Sequence, residues 1–159
     1  MKAVKAGFNG LRGVFLHLAE EHGEVGALMK RVSKDSDAEV RREHWPLIRS
    51  ELLSHEQGEL AEVYPLLSTT EATREIVALH SQEAGQLKEA IAAVDAHDFG
   101  SPAWGAAFER LFSLVQLHVT EEENDFFPRA QAVIGEDESK AVLARYEAAK
   151  KAAKNQSRS

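Results

Sequence analysis

Histidine and glutamate recur in this chain at a spacing suited to holding a metal ion. His55, Glu59, Tyr64 and Pro65 are matched by His118, Glu122, Phe127 and Pro128, so both stretches read His-x3-Glu-x4-aromatic-Pro. Four residues is about one turn of α-helix, which stacks each His on its Glu and lets both side chains reach one point in space. Imidazole and carboxylate together suit iron, manganese and zinc. Two such pairs on facing helices would make a metal site. The chain has no cysteine, which excludes disulfides, thiolate-bound iron–sulfur clusters and thiol nucleophiles. No Ser-His-Asp arrangement is visible either, so any catalysis should belong to the metals.

The elements that position these groups follow from apolar periodicity. Val4, Phe8, Leu11, Phe15, Leu18, Val25, Met29 and Val32 advance by threes and fours with one gap, and His22 fills it. Such a stripe is the seam of a helix packed lengthwise on others, so His22 points inward even though Gly7, Gly10 and Gly13 weaken the first turns. This helix should end between Ser33 and Ser36. A second, from about Asp37 to Ser68, carries Ile48, Leu52, Val63 and Leu66 on its seam, with His55 and Glu59 between them. Pro65 lies close to its end, where one lost backbone hydrogen bond matters less. The third starts at Thr70, has Thr73, Ile76, Leu87, Ile91 and Val94 on its seam together with His80, and breaks between His97 and Pro102. Ser101 as N-cap and Pro102 in the first turn open the fourth. Its seam of Trp104, Phe108, Leu111 and Val115 runs on into His118 and Glu122. Pro128 and Gly135 bracket its end, and Glu136 to about Lys151 reads as a short fifth helix.

No stretch shows the period-two alternation of a strand. The pattern predicts an all-α fold, an antiparallel up-down-up-down four-helix bundle with a short C-terminal fifth helix. At about 1.5 Å rise per residue, His22, His55, His80 and His118 then fall within roughly one turn of a common layer. Placing four imidazoles and two carboxylates in an apolar seam costs roughly 1 to 3 kcal/mol each unless something satisfies them. A single core His is common, but six matched positions are not. Two octahedral cations would satisfy them, with the carboxylates bridging and the imidazoles at the outer corners.

The 159 residues fit one domain, expected over residues 1–150 and followed by a flexible basic tail at 151–159. A formal charge of −7 and a pI near 5.5 argue against a nucleic-acid partner, which would need clustered Lys and Arg. Residues 1–30 lack the apolar run of a signal peptide, and nothing approaches the ~20 apolar residues of a membrane span. The reading is a soluble, cytoplasmic protein with no membrane partner.

The succession of His in the first helix, His-x3-Glu in the second, His in the third and His-x3-Glu in the fourth resembles the hemerythrin or HHE cation-binding domain. The resemblance covers roughly residues 8–131. Tyr64-Pro65-Leu66-Leu67 and Phe126-Phe127-Pro128-Arg129 are also similar to the segments just after the ligands in that family. It implies a non-haem di-iron centre of two iron ions with a bridging oxo or hydroxo group. It also implies His22, His55, Glu59, His80, His118 and Glu122 as metal ligands, Glu59 and Glu122 being the bridges. Manganese and zinc suit the same donors.

One position departs from the oxygen-carrying members, which usually have a second His one turn after the third-helix His. Here Ala84 stands there, and Glu83 is the candidate replacement ligand, on the same face as His80. A cation short of one nitrogen holds more solvent, which moves the expected function from reversible O2 carriage toward binding or reducing a small oxidant: O2, peroxide or NO. Peroxidase or catalase-like turnover would follow, with an electron donor the sequence does not name. The competing readings are a sensor of iron or oxygen acting through a protein partner, and an iron-handling module. Elsewhere, His44 is too far along its helix to ligate, His17 reads as a boundary residue, and His97 as incidental. Trp45 and Trp104 read as packing near the bundle ends. Tyr64 reads first as closure of the core and second as a hydrogen-bond donor near the metals, and Glu56 and Glu121 as acids beside the ligand turns.

Overall fold

The computed structural model describes residues 10 to 157, and among them all regular structure is helical. Helix α1 is Gly13–Ser33. The expected seam positions Val4 and Phe8, and Gly7 with them, lie outside the described residues. Gly10 and Gly13 hold φ of 78° and 57°, the left-handed region that glycine tolerates. At Gly13 a side chain would also collide with Ser139, whose hydroxyl accepts the Val14 N–H at 3.1 Å. The start of α1 is thereby pinned to the last helix.

Helix α2 comprises Ala38–Gly58, a π-helical turn at Glu59–Val63 and Tyr64–Leu67. Asp37 caps it by accepting the Glu39 N–H at 2.9 Å. Helix α3 is Glu71–Asp95. Helix α4 comprises Pro102–Glu121, a second π-helical turn at Glu122–Phe126 and Phe127–Val133, and Ser101 caps it through the Trp104 N–H at 3.2 Å.

Pro65 and Pro128 do more than sit near helix ends. Each lacks an N–H and crowds the preceding turn, and the helix answers by widening before continuing. The aromatic N–H just ahead of each proline reaches back five residues, Tyr64 to the Glu59 carbonyl and Phe127 to the Glu122 carbonyl. The extra residue per turn keeps one face inward through the bend. Glu59, Val63, Tyr64 and Leu67 are buried, and so are Glu122, Phe126, Phe127 and Ala130.

Helix α5, Glu136–Ser157, packs along α2 and against α1, while α3 packs on α4. It runs past the end expected near Lys151, as far as Ser157. Lys150 and Lys154 both pair with Glu51 of α2, and Ala152 and Ala153 carry the helix between them. Among the described residues no helix is long and apolar enough to cross a membrane.

The apolar interior falls into two separate clusters. One joins Phe15 and Leu18 of α1, Val63 and Leu67 of α2, Val77 of α3, Phe126 and Phe127 of α4, and Val142 and Tyr146 of α5. The other joins Met29 of α1, Trp45 and Ile48 of α2, Ile91 and Val94 of α3, and Trp104, Phe108 and Leu111 of α4. Trp45 and Trp104 pack edge to face there, as expected of end-packing residues. Between the two clusters lies a polar layer.

Candidate metal centre

All six polar seam positions meet in that layer. Glu59 and Glu122 are fully buried, His22 and His80 nearly so, and His55 and His118 are 13% exposed at their side chains. His22 Nε2 lies 3.2 Å from His55 Nε2 and 3.2 Å from Glu122 Oε1. His118 Nε2 is 3.3 Å from the same Glu122 oxygen, and His55 Nε2 is 3.0 Å from Glu59 Oε1. His80 and His118 approach through their Nδ1 atoms at 3.1 Å. Glu122 thus belongs both to a set with His22 and His55 and to a set with His80 and His118, each with its donor atoms within 4.8 Å of one another.

A third set of that kind is Glu56, Glu59 and His118. Glu56 read from sequence as one of several acids beside the ligand turns, but it is buried and turned inward, with one oxygen 3.8 Å from His118 Nε2. Glu83, the replacement suggested for the missing third-helix donor, is only partly buried, but its Oε1 is buried and unpartnered. It lies 3.7 Å from His80 Nδ1 and forms a separate donor group with His80 and Glu121. Ala84 is buried and lines a cavity of about 50 Å³ together with Glu56, Leu87, Leu114 and His118.

These groups fit a cation better than they fit one another. Glu56 Oε1, both Glu59 oxygens, Glu122 Oε1 and His118 Nε2 are buried without a hydrogen-bond partner, an arrangement that costs several kcal/mol unless a positive charge meets them. Burial, and then the neighbouring Glu122, pushes Glu56 up to about 7. The same causes, joined by Glu56, hold Glu59 well above the carboxylate range. Burial would raise Glu122 too, but His118 and His22 beside it prevail and hold it ionised. Burial alone would lower His22, yet Glu122 and Glu123 raise it, whereas burial keeps His118 low. Without a cation, then, the cluster is a crowd of acids of which one carries the charge.

A second ring of residues orients the first. Glu123 accepts from His22 Nδ1 at 2.9 Å, and Glu21 accepts from His55 Nδ1 at 2.9 Å. A carboxylate on the far nitrogen of an imidazole fixes which nitrogen faces the metal. Tyr64 donates to Glu122 Oε2 at 3.1 Å while its ring closes the core, so it fills both of the roles its position suggested. His17, expected at the boundary, contacts Glu21 at 3.0 Å, and His44 donates to the Val40 carbonyl on its own helix. Sequence reasoning missed Glu21, Glu123 and Tyr146. The acids adjoin ligands in sequence, which is a usable signal; Tyr146 offers none.

Six donors from four helices at one level, with both Glu59 oxygens and Glu122 Oε1 unpaired, are what a bundle-core cation site requires. The profile of the hemerythrin HHE cation binding domain matches residues 5–130. The chain belongs to the hemerythrin HHE cation-binding family. No match was found among the curated proteins or among the solved structures. The hemerythrin match covers all six donors as well as Glu21, Glu56 and Glu123, and it ends before α5 begins.

Proposed function

We propose that this hemerythrin-family chain holds two iron ions in an up-down-up-down antiparallel bundle and there binds or reduces a small oxidant such as O2, peroxide or NO. The composition of the two apolar clusters supports the antiparallel order. One cluster gathers the start of α1, the end of α2, the start of α3 and the end of α4, and the other gathers the opposite ends. His22, His55, Glu59, His80, His118 and Glu122 hold the ions, with Glu122 as a bridge because both donor sets share it and Glu59 as its counterpart on α2. Glu56 takes the place left by Ala84, and Glu83 stays outside.

The observation that carries this reading is the cluster of buried, unpaired carboxylate and imidazole atoms in the polar layer. When bound, the ion pair supplies the redox capacity. The chain supplies the rest. Beside the donors lies a cavity of about 30 Å³, edged by His22, His55, Glu56 and His118 and walled by Val25, Leu52, Leu87 and Val115. Its size suits a molecule of a few heavy atoms, and its apolar walls favour a neutral one. Tyr64, held protonated by burial and by Glu122, donates a hydrogen bond at the edge of the same layer.

The test is metal loading with ferrous iron without oxygen, followed by addition of peroxide together with ascorbate as electron donor. The expected result is two ions per chain and steady peroxide consumption, with His118→Ala and Glu59→Ala each losing metal and thermal stability together. Equal iron content in wild type and both variants would overturn the ligand assignment. Loaded protein that left peroxide, O2 and NO all untouched would overturn the oxidant chemistry.

A further inference from the structure

Helix α5 lies beyond the matched hemerythrin region, yet it sends two side chains to the edge of the centre. Tyr146 is fully buried and its ring rests on the backbone of Gly58, where a Cβ would come within 2.6 Å of a ring carbon. Its hydroxyl donates to Glu21 Oε1 at 2.5 Å and lies 3.0 Å from His55 Nδ1. Lys150 pairs with Glu21 Oε2 at 2.8 Å and with Glu51 Oε2 at 2.9 Å. We propose that Tyr146 and Lys150 are positioning residues for His55, acting through Glu21, so that α5 is a working part of the metal centre. The proposal rests on the reading of His55 as a ligand.

The hydrogen-bond directions carry the argument. A phenol has one proton to give, and here the carboxylate of Glu21 receives it. Glu21 Oε1 also takes the Nδ1–H of His55. That leaves the Nε2 lone pair of His55 directed at Glu59 Oε1 and His22 Nε2, the inner face of the layer. An ionised Glu21 in this half-buried place needs several partners, and His17, His55, Tyr146 and Lys150 provide them. Tyr146 also meets the His55 ring edge to face at 5.9 Å, which limits its rotation. His80 and His118 have no comparable support: their Nδ1 atoms face each other, and the nearest carboxylate oxygen to His80 is 3.7 Å away. The α5 side of the layer is set in advance; the opposite side is not.

A packing role and a positioning role for Tyr146 separate cleanly. Tyr146→Phe keeps the ring on Gly58 and removes only the hydroxyl, and Lys150→Met keeps the stem and removes only the charge. Full-length wild type and both variants are loaded with ferrous iron. Release to a chelator, the reduction potential of the loaded protein and the melting of the metal-free protein are then measured. Tyr146→Phe should release iron about tenfold faster, because Glu21 loses the hydroxyl that steadies it behind His55, and lower the potential, because Glu21 is left a stronger acceptor of His55 Nδ1–H, while metal-free melting falls by no more than one lost hydrogen bond. Lys150→Met should speed release by less and also lower the potential, since a positive charge leaves the edge of the centre. Unchanged release in both variants, with wild type holding its iron, overturns the proposal. Faster release matched by an equal loss of metal-free stability also overturns it, since packing would then account for everything. Wild type that fails to hold iron sinks the reading of the centre itself, and this assignment with it.

Discussion

Glu56 and Ala84 line one cavity beside the polar cluster, and on the proposed reading Glu56 stands in for the donor that Ala84 cannot supply. The sequence pointed to Glu83, one residue from Ala84, because same-face spacing on one helix is easy to see. The structure also turns Glu56 of α2 inward, within 3.8 Å of His118 Nε2, a relation between helices that no spacing rule encodes. The six seam donors were legible because each interrupts an apolar stripe. Glu56 was legible only as one of several acids beside the ligand turns, and Glu21 and Glu123 were not singled out, because beside those stripes an inward acid looks like any solvated one. The acidic crowding has a measurable result in the metal-free protein. Burial and Glu122 raise Glu56 from 4.5 to about 7, and Glu59 shifts the same way. Across that window the folded chain keeps protons that the unfolded chain releases, so stability is present at low pH and lost as pH rises. Glu59, Glu122, His22, His55, His118 and Glu83 all face Glu56 in setting this balance. His22, also raised, acts in the same direction, while neutral His118 opposes it. Metal-free protein should therefore melt higher at about pH 5.5 than at about pH 7.5, and Glu56→Gln should flatten the trend. Iron-loaded protein should show the reverse order, because the ligands must shed their protons to bind.

At the level of the helix, the repeated aromatic-Pro after each His-x3-Glu is the instruction for a wide turn, and the sequence reading saw in it only a proline near a helix end. Proline near a helix end and proline inside a widened helix look alike in one dimension. What separates them is the burial of Leu67 and Ala130 beyond the bend. Each wide turn begins on a carboxylate of the centre, so the distortion and the ligand are placed by the same few residues. Helix starts and caps were plain, Asp37 and Ser101 foremost. The extent of α5 was not, since its contacts with α2 come from Lys150, Lys154 and Tyr146, which carry no periodic apolar signal of their own. Gly58 reports how closely these two helices approach. Gly58→Ala would add a methyl against the Tyr146 ring, and the overpacking outweighs the gain in helix propensity, for a net loss of about 1 to 2 kcal/mol in a denaturant titration. If α5 packed loosely, the substitution would instead stabilise.

For the molecule as a whole, a charged layer divides the interior into two apolar clusters. Bound cations would tie four helices together at the level where hydrophobic contact is weakest, and melting temperature should rise with metal in proportion to occupancy. Stripped of metal, the chain keeps two oily halves joined through buried polar groups that lack partners. The half that α5 covers holds Tyr146 and the anchored start of α1; the far half is built around its tryptophans. Scanning calorimetry should then record one cooperative unit for the loaded protein and two for the stripped one, with the tryptophan-rich half giving way at a temperature of its own.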